Sequence, residues 1–122
     1  MARTTAQTDL DHLLADLALA RSSPNPYLHA ITLHDELDKL LEAFIDASER
    51  ARWTEMKKIG RLAFAHAATI MVALDEVQPA YVPVKQLDLT RRPAEIVLER
   101  CAEFATRNMR DVVERTLNCA AR

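Results

Sequence analysis

A chain of 122 residues that is 49% apolar and 28% charged is expected to fold as one globular domain over 1–122, which excludes a disordered polar chain. A formal net charge of −2 excludes the broad basic surface on which general nucleic-acid binding depends. One Gly and five Pro leave few breakers, so long helices are favoured over a many-turned β fold.

Residues 1–7 are expected to fray, and their lack of an apolar core predicts no signal peptide. The first helix, 9–21, starts at Thr8 or Asp9, both good caps. It buries Leu10, Leu13, Leu14 and Leu17 at the i, i+3, i+4, i+7 spacing. Ser22-Ser23-Pro24 stops it. Asn25 followed by Pro26 then opens a second helix over 26–49, although Thr32 with Asp35 also resembles a capping box and places a start later. Ala30, Leu33, Leu37, Leu40, Phe44 and Ala47 form its apolar stripe. Its outer face is acidic, with Asp35, Glu36, Asp38, Glu42, Asp46 and Glu49 against Lys39 alone.

The third helix, 52–78, carries the strongest pattern in the chain. Trp53, Met56, Gly60, Ala63, Ala67, Ile70, Leu74 and Val77 recur at alternating steps of three and four, a heptad seam. The run from Leu62 to Leu74 is broken by His66 and Thr69. It is too short to span a bilayer and reads as a central buried helix, with no membrane association. Gly60, Ala63 and Ala67 permit close approach of a neighbour. Pro79 ends the helix, and 79–92 reads as an irregular connection crossing the bundle end. The last helix, 93–120, begins at Thr90 or Pro93 and turns Val97, Cys101, Phe104, Ala105, Met109, Val112, Val113, Leu117 and Ala120 inward. Cys101 and Cys119 on one helix would stand about 27 Å apart, so both are expected as free thiols in a reducing cytoplasm.

Three constellations carry candidate chemistry. Asp35 and Glu36, beside His34 and Asp38, could hold Mg²⁺ with a substrate phosphate, or simply form a solvated acidic face that suits the helix dipole. The segment Leu33-His34-Asp35-Glu36-Leu37-Asp38-Lys39-Leu40, with Ile70-Met71-Val72-Ala73-Leu74-Asp75 on a later helix, resembles the helical MazG-like nucleotide pyrophosphohydrolases. That resemblance implies a similar bundle with metal-binding carboxylates on two helices. The second helix face here offers Ile59, Gly60, Leu62 and Ala63 instead, which argues against intact catalysis. Arg61 and His66, spaced Arg-x4-His, are similar to the short motif of HEPN-type ribonucleases, where the pair polarises RNA; the plainer expectation for His66 is a satisfied core histidine.

The third constellation is basic. Arg50, Arg52, Lys57, Lys58 and Arg61 crowd the start of the third helix, and Arg91 with Arg92 opens the last, against the helix dipole in each case. Lys57, Lys58, Arg61, Arg91 and Arg92 are therefore candidates for binding an anion or an acidic partner. The alternative is pairing across each corner with Asp46 and Glu49 or with Asp75 and Glu76. Arg52-Trp53 and Pro79 also resemble the layout of phage-encoded helical sponges that sequester cyclic nucleotides, with Tyr81 available to stack on a ring or cap the bundle end.

The resulting expectation is an all-α, elongated bundle of four helices completed by oligomerisation. It would be a non-enzymatic cytoplasmic binding protein, needing no cofactor and acting as a homo-oligomer. Trp53, Ile70 and Leu74 are expected at the interface, because a short first helix cannot cover three helices of about 40 Å. The alternative is a nucleotide-handling protein, either a divergent pyrophosphohydrolase using Asp35 and Glu36 or a nucleotide binder.

Overall fold

The computed structural model describes the backbone of residues 5–78 and 81–120 and the side chains of 7–78 and 81–118. Every regular element among them is helical. They run α1 (Thr5–Arg21), α2 (Pro26–Glu49), α3 (Trp53–Asp75), α4 (Val84–Cys101), a 3-10 turn (Ala102–Phe104) and α5 (Arg107–Ala120). The all-α expectation holds, with five α-helices in place of four. The expected frayed start is corrected from Thr5 onward, which is already helical, while residues 1–4 lie outside the described residues.

Local chemistry explains the boundaries. Asn25 Oδ1 accepts from the Leu28 amide at 3.2 Å and Pro26 takes the first helical position, so α2 starts there. Thr32 lies within the helix and its hydroxyl donates to the Leu28 carbonyl at 2.9 Å, so the later start does not occur. The α2–α3 break comes from Ala51, which adopts the left-handed conformation at φ 56°. The Arg52 amide donates to the Ala47 carbonyl at 2.9 Å and the Ala51 amide to Ser48 at 3.1 Å, the two reversed bonds of a Schellman ending. An alanine fills the position that favours glycine, so no breaker marked the spot.

Two corrections concern the C-terminal half. Residues 84–92, expected as part of an irregular connection, are helical; Pro79 and Ala80 of that connection lie outside the described residues. The Pro83 carbonyl accepts from the Gln86 and Leu87 amides at 2.9 and 3.1 Å and starts α4. Leu87, Thr90, Ala94, Val97 and Cys101 then form one buried stripe at alternating steps of three and four. Pro93 is inside this helix, on its exposed side, where solvent can reach the hydrogen bond it cannot make. The expected single helix to residue 120 instead breaks at Ala102–Thr106. Ala105 is extended, and the Thr106 hydroxyl accepts from the Met109 amide at 3.2 Å to cap α5.

α3 is the axis of the fold. α1, α2, α4, the 3-10 turn and α5 all pack on it, so its middle is enclosed on every side. The close neighbour that Gly60 admits is Phe104. A Cβ at Gly60 would fall 2.5 Å from Phe104 Cδ2, and the Phe104 ring meets Phe44 of α2 edge-on with centroids 5.5 Å apart. The break after α4 is what turns Phe104 inward and returns α5 across α1 and α3.

Enclosure by its own chain also corrects the expected interface. Ile70 and Leu74 are 0% and 1% exposed and belong to the monomer's core. The heptad seam is already filled, so no partner is needed to cover them. Trp53, at the edge of the seam, is 55% exposed and stays on the surface.

Candidate functional site

The basic residues singled out in the sequence separate into three places. At the start of α3, Lys57 and Lys58 are exposed and have no ion pair within 4 Å among the described residues. Neighbouring cations are paired locally: Arg50 with Asp46 at 3.1 Å and Arg52 with Glu55 at 3.7 Å, each within a helical turn. Arg61 reaches a different helix. Its Nε donates to Asp9 Oδ2 of α1 at 3.2 Å, with both side chains about three-quarters buried.

At the α3–α4 corner, Arg91 Nη2 donates to Asp75 Oδ1 at 3.4 Å, the cross-corner pairing that is the alternative to a bound anion. Arg91 Nε is buried without an acceptor among the described residues. Burial raises the Asp75 carboxyl above its ordinary value; Arg91 pulls it back and Glu76 pushes it further up. Arg92 faces away from this pair, toward α2, and has no ion pair among the described residues.

Asp35 and Glu36 do not converge with other carboxylates. Both are exposed, and no group of three or more His, Cys, Asp or Glu is placed to hold a metal among the described residues. Glu36 Oε2 lies 3.1 Å from His66 Nε2, and His66 Nδ1 lies 3.1 Å from the Leu62 carbonyl. Both neighbours accept, so both contacts are hydrogen bonds when the ring carries two protons. His66 is thus a half-buried link between α2 and α3, not a core histidine.

Two concave regions emerge from these placements. The first is a cleft of about 220 Å³ between α1 and α3. Asp9, His12 and Asp16 of α1 face Lys58, Arg61 and His66 of α3 across it, with Leu13, Leu62, Ala65 and Met109 lining the rest. Sequence reasoning selected Lys58 and Arg61 but missed the α1 half. The available signal was the i, i+3, i+7 spacing of Asp9, His12 and Asp16 along one edge of the leucine stripe.

The second is a groove of about 660 Å³ between α2 and α4, lined by Leu41, Leu89, Pro93, Ile96 and Val97 with Lys85, Asp88 and Arg92 at its rim. Leu89 is 68% and Ile96 44% exposed. The groove has no signal in the sequence pattern, because an irregular 79–92 gives Leu89 and Ile96 no common helix face to share. No helix among the described residues is long and apolar enough to cross a membrane. Compared with family models, curated proteins and solved structures, the chain matches none.

Proposed function

We propose that this protein works by binding, and that its partner at the α2–α4 groove is a second copy of itself. The observation that carries this reading is an uncovered apolar groove: Leu89 and Ile96 of α4 are 68% and 44% exposed and line it together with Leu41 of α2. Contiguous apolar surface of this kind marks a protein contact.

Charge placement favours a like partner. On α4, Lys85 and Arg92 outnumber Asp88 at the rim. On α2, beyond the lining residue Leu41, exposed Glu42 follows it and exposed Asp38, 3.6 Å from His34 Nδ1, lies one turn before it. The α4 rim is basic and the α2 surface next to the groove is acidic. A two-fold axis along the groove sets each acidic surface against the partner's basic rim, which makes the surface self-complementary. Leu89 and Ile96 supply the apolar centre that such a contact excludes from water.

Light scattering after size-exclusion chromatography tests the reading. The parent chain is expected at twice 13.8 kDa at micromolar concentration, and Ile96→Glu at the monomer mass with an unchanged helical spectrum. A parent that remains monomeric across that range, or an Ile96→Glu dimer, overturns it.

A further inference from the structure

The α1–α3 cleft has charges whose partners are unequally assigned. Arg61 spends its Nε–H on Asp9, and its two terminal amino groups engage no acceptor among the described residues. Lys58 lies one turn earlier on α3, lines the same cleft, and has no ion pair among the described residues. The Asp9 contact holds the guanidinium in place with its outer edge free, the edge that binds a carboxylate or phosphate through two parallel hydrogen bonds. Leu62, 40% exposed, and the half-buried Ala65 provide an apolar surface beside these two cations, over the buried Leu13 and Met109.

We infer that this cleft binds a small organic anion, its head held between Lys58 and the free edge of Arg61 and its apolar body laid on Leu62 and Ala65. Three features narrow the class. The volume of about 220 Å³ is below the ~300 Å³ at which drug-sized pockets begin, which favours a ligand smaller than a nucleoside triphosphate. Lys58 and Arg61 are balanced in the cleft by Asp9 and Asp16, so a second anionic group on the ligand meets a carboxylate. The apolar side favours a ring or branched chain over a bare inorganic ion. His66, engaged by Glu36 and the Leu62 carbonyl, forms a wall of the cleft and donates nothing further to the ligand.

The inference is tested on the full chain by following the Leu62 methyl resonances during titration with benzoate and with phenyl phosphate. Acetate and inorganic phosphate serve as probes of the head alone. Saturable shifts with an aromatic acid, at least about tenfold tighter than with its bare head, support the site. The tighter of the two aromatic probes identifies the head as carboxylate or phosphate. Lys58→Gln is expected to weaken binding about tenfold while the melting temperature stays within 1–2 °C of the parent, roughly the scatter of a neutral surface change. No saturation by about 10 mM overturns the proposal. So does equal affinity for the aromatic acid and its bare head, or unchanged affinity in Lys58→Gln.

Discussion

α3 and α4 have the same apolar spacing and opposite fates. On α3, residues at steps of three and four meet five neighbouring elements, and Ile70 and Leu74 disappear from the surface. On α4, Leu87, Thr90, Ala94, Val97 and Cys101 turn inward, while Leu89 and Ile96 remain outside. Spacing identifies the face a helix must bury. It does not identify what covers that face, because coverage depends on where the other helices are sent by their turns. The strongest sequence signal for an interface lies in the monomer's interior, and the exposed apolar stripe lies on a segment whose prolines hid it.

The comparison is broken most directly by placing the same charge on each helix. Leu74→Asp buries a carboxylate with no partner and is expected to cost at least ~4 kcal/mol, enough to unfold a domain of this size in a thermal melt. Leu89→Asp is expected to change stability of the monomer by less than ~0.5 kcal/mol, as exposed substitutions do. Equal losses in the two variants would show that the α4 stripe is enclosed within one chain after all.

The enclosure of α3 is sharpened at Gly60. A methyl group there collides with the Phe104 ring, which also meets Phe44 edge-on. Gly60→Ala is expected to cost ~1–3 kcal/mol by overpacking, despite the higher helix propensity of alanine. A chemical denaturation midpoint equal to the parent's would mean that the turn carrying Phe104 moves freely away from α3.

The turn feeding α3 offers a smaller effect of opposite sign. Ala51 holds φ 56°, which costs an L-residue about 1–2 kcal/mol, and glycine removes that cost while adding freedom to the unfolded chain. Ala51→Gly is expected to raise stability by ~0.5 kcal/mol in the same denaturation assay. A loss would indicate that Ala51 contributes packing that its conformation does not reveal.

The smallest expected effect lies at the corner joining the two helices. The Asp75 carboxyl is raised in the folded state, chiefly by burial. The folded protein therefore binds this proton more tightly than the unfolded chain does. Stability from this group is fully present below the ordinary carboxylate value and is lost as pH rises through the raised one. Asp75→Asn removes that slope, so melting temperatures of variant and parent are expected to diverge in the variant's favour as pH rises across this window. A constant difference at all pH values would assign Asp75 no part in the acid dependence.

Much of the architecture was legible in the residues themselves. The α1 leucine stripe, the Asn25–Pro26 start of α2 and the apolar middle of α3 are local patterns, and local hydrogen bonds and side-chain spacing suffice to decide them. The cross-corner attraction of Asp75 for Arg91 was also readable, because charges of opposite sign ended one segment and opened the next. Thr106, three residues before Met109, was a readable cap, but the uninterrupted apolar stripe around it pointed to one helix.

Within the candidate site, only the α3 half was visible beforehand. Lys58 and Arg61 stand out as basic residues on one helix, but that Arg61 would meet Asp9, across 52 positions of sequence, depends on how α1 lies along α3. The same holds for Glu36 and His66, drawn together from neighbouring helices.

Residue spacing and breaker content sufficed to make the chain helical and α3 its most apolar segment, and capping chemistry offered Asn25–Pro26 as one of two starts for α2. These follow from spacing, capping and breaker content, which act over a few residues. Helix packing settled that Ile70 and Leu74 are covered by their own chain, that Leu89 and Ile96 border an open groove, and that Asp9 meets Arg61. Those outcomes depend on the directions in which the turns at Ala51, Pro83 and Ala105 send the following helices. A direction set by a few backbone angles has no periodic signature in the residues it brings together.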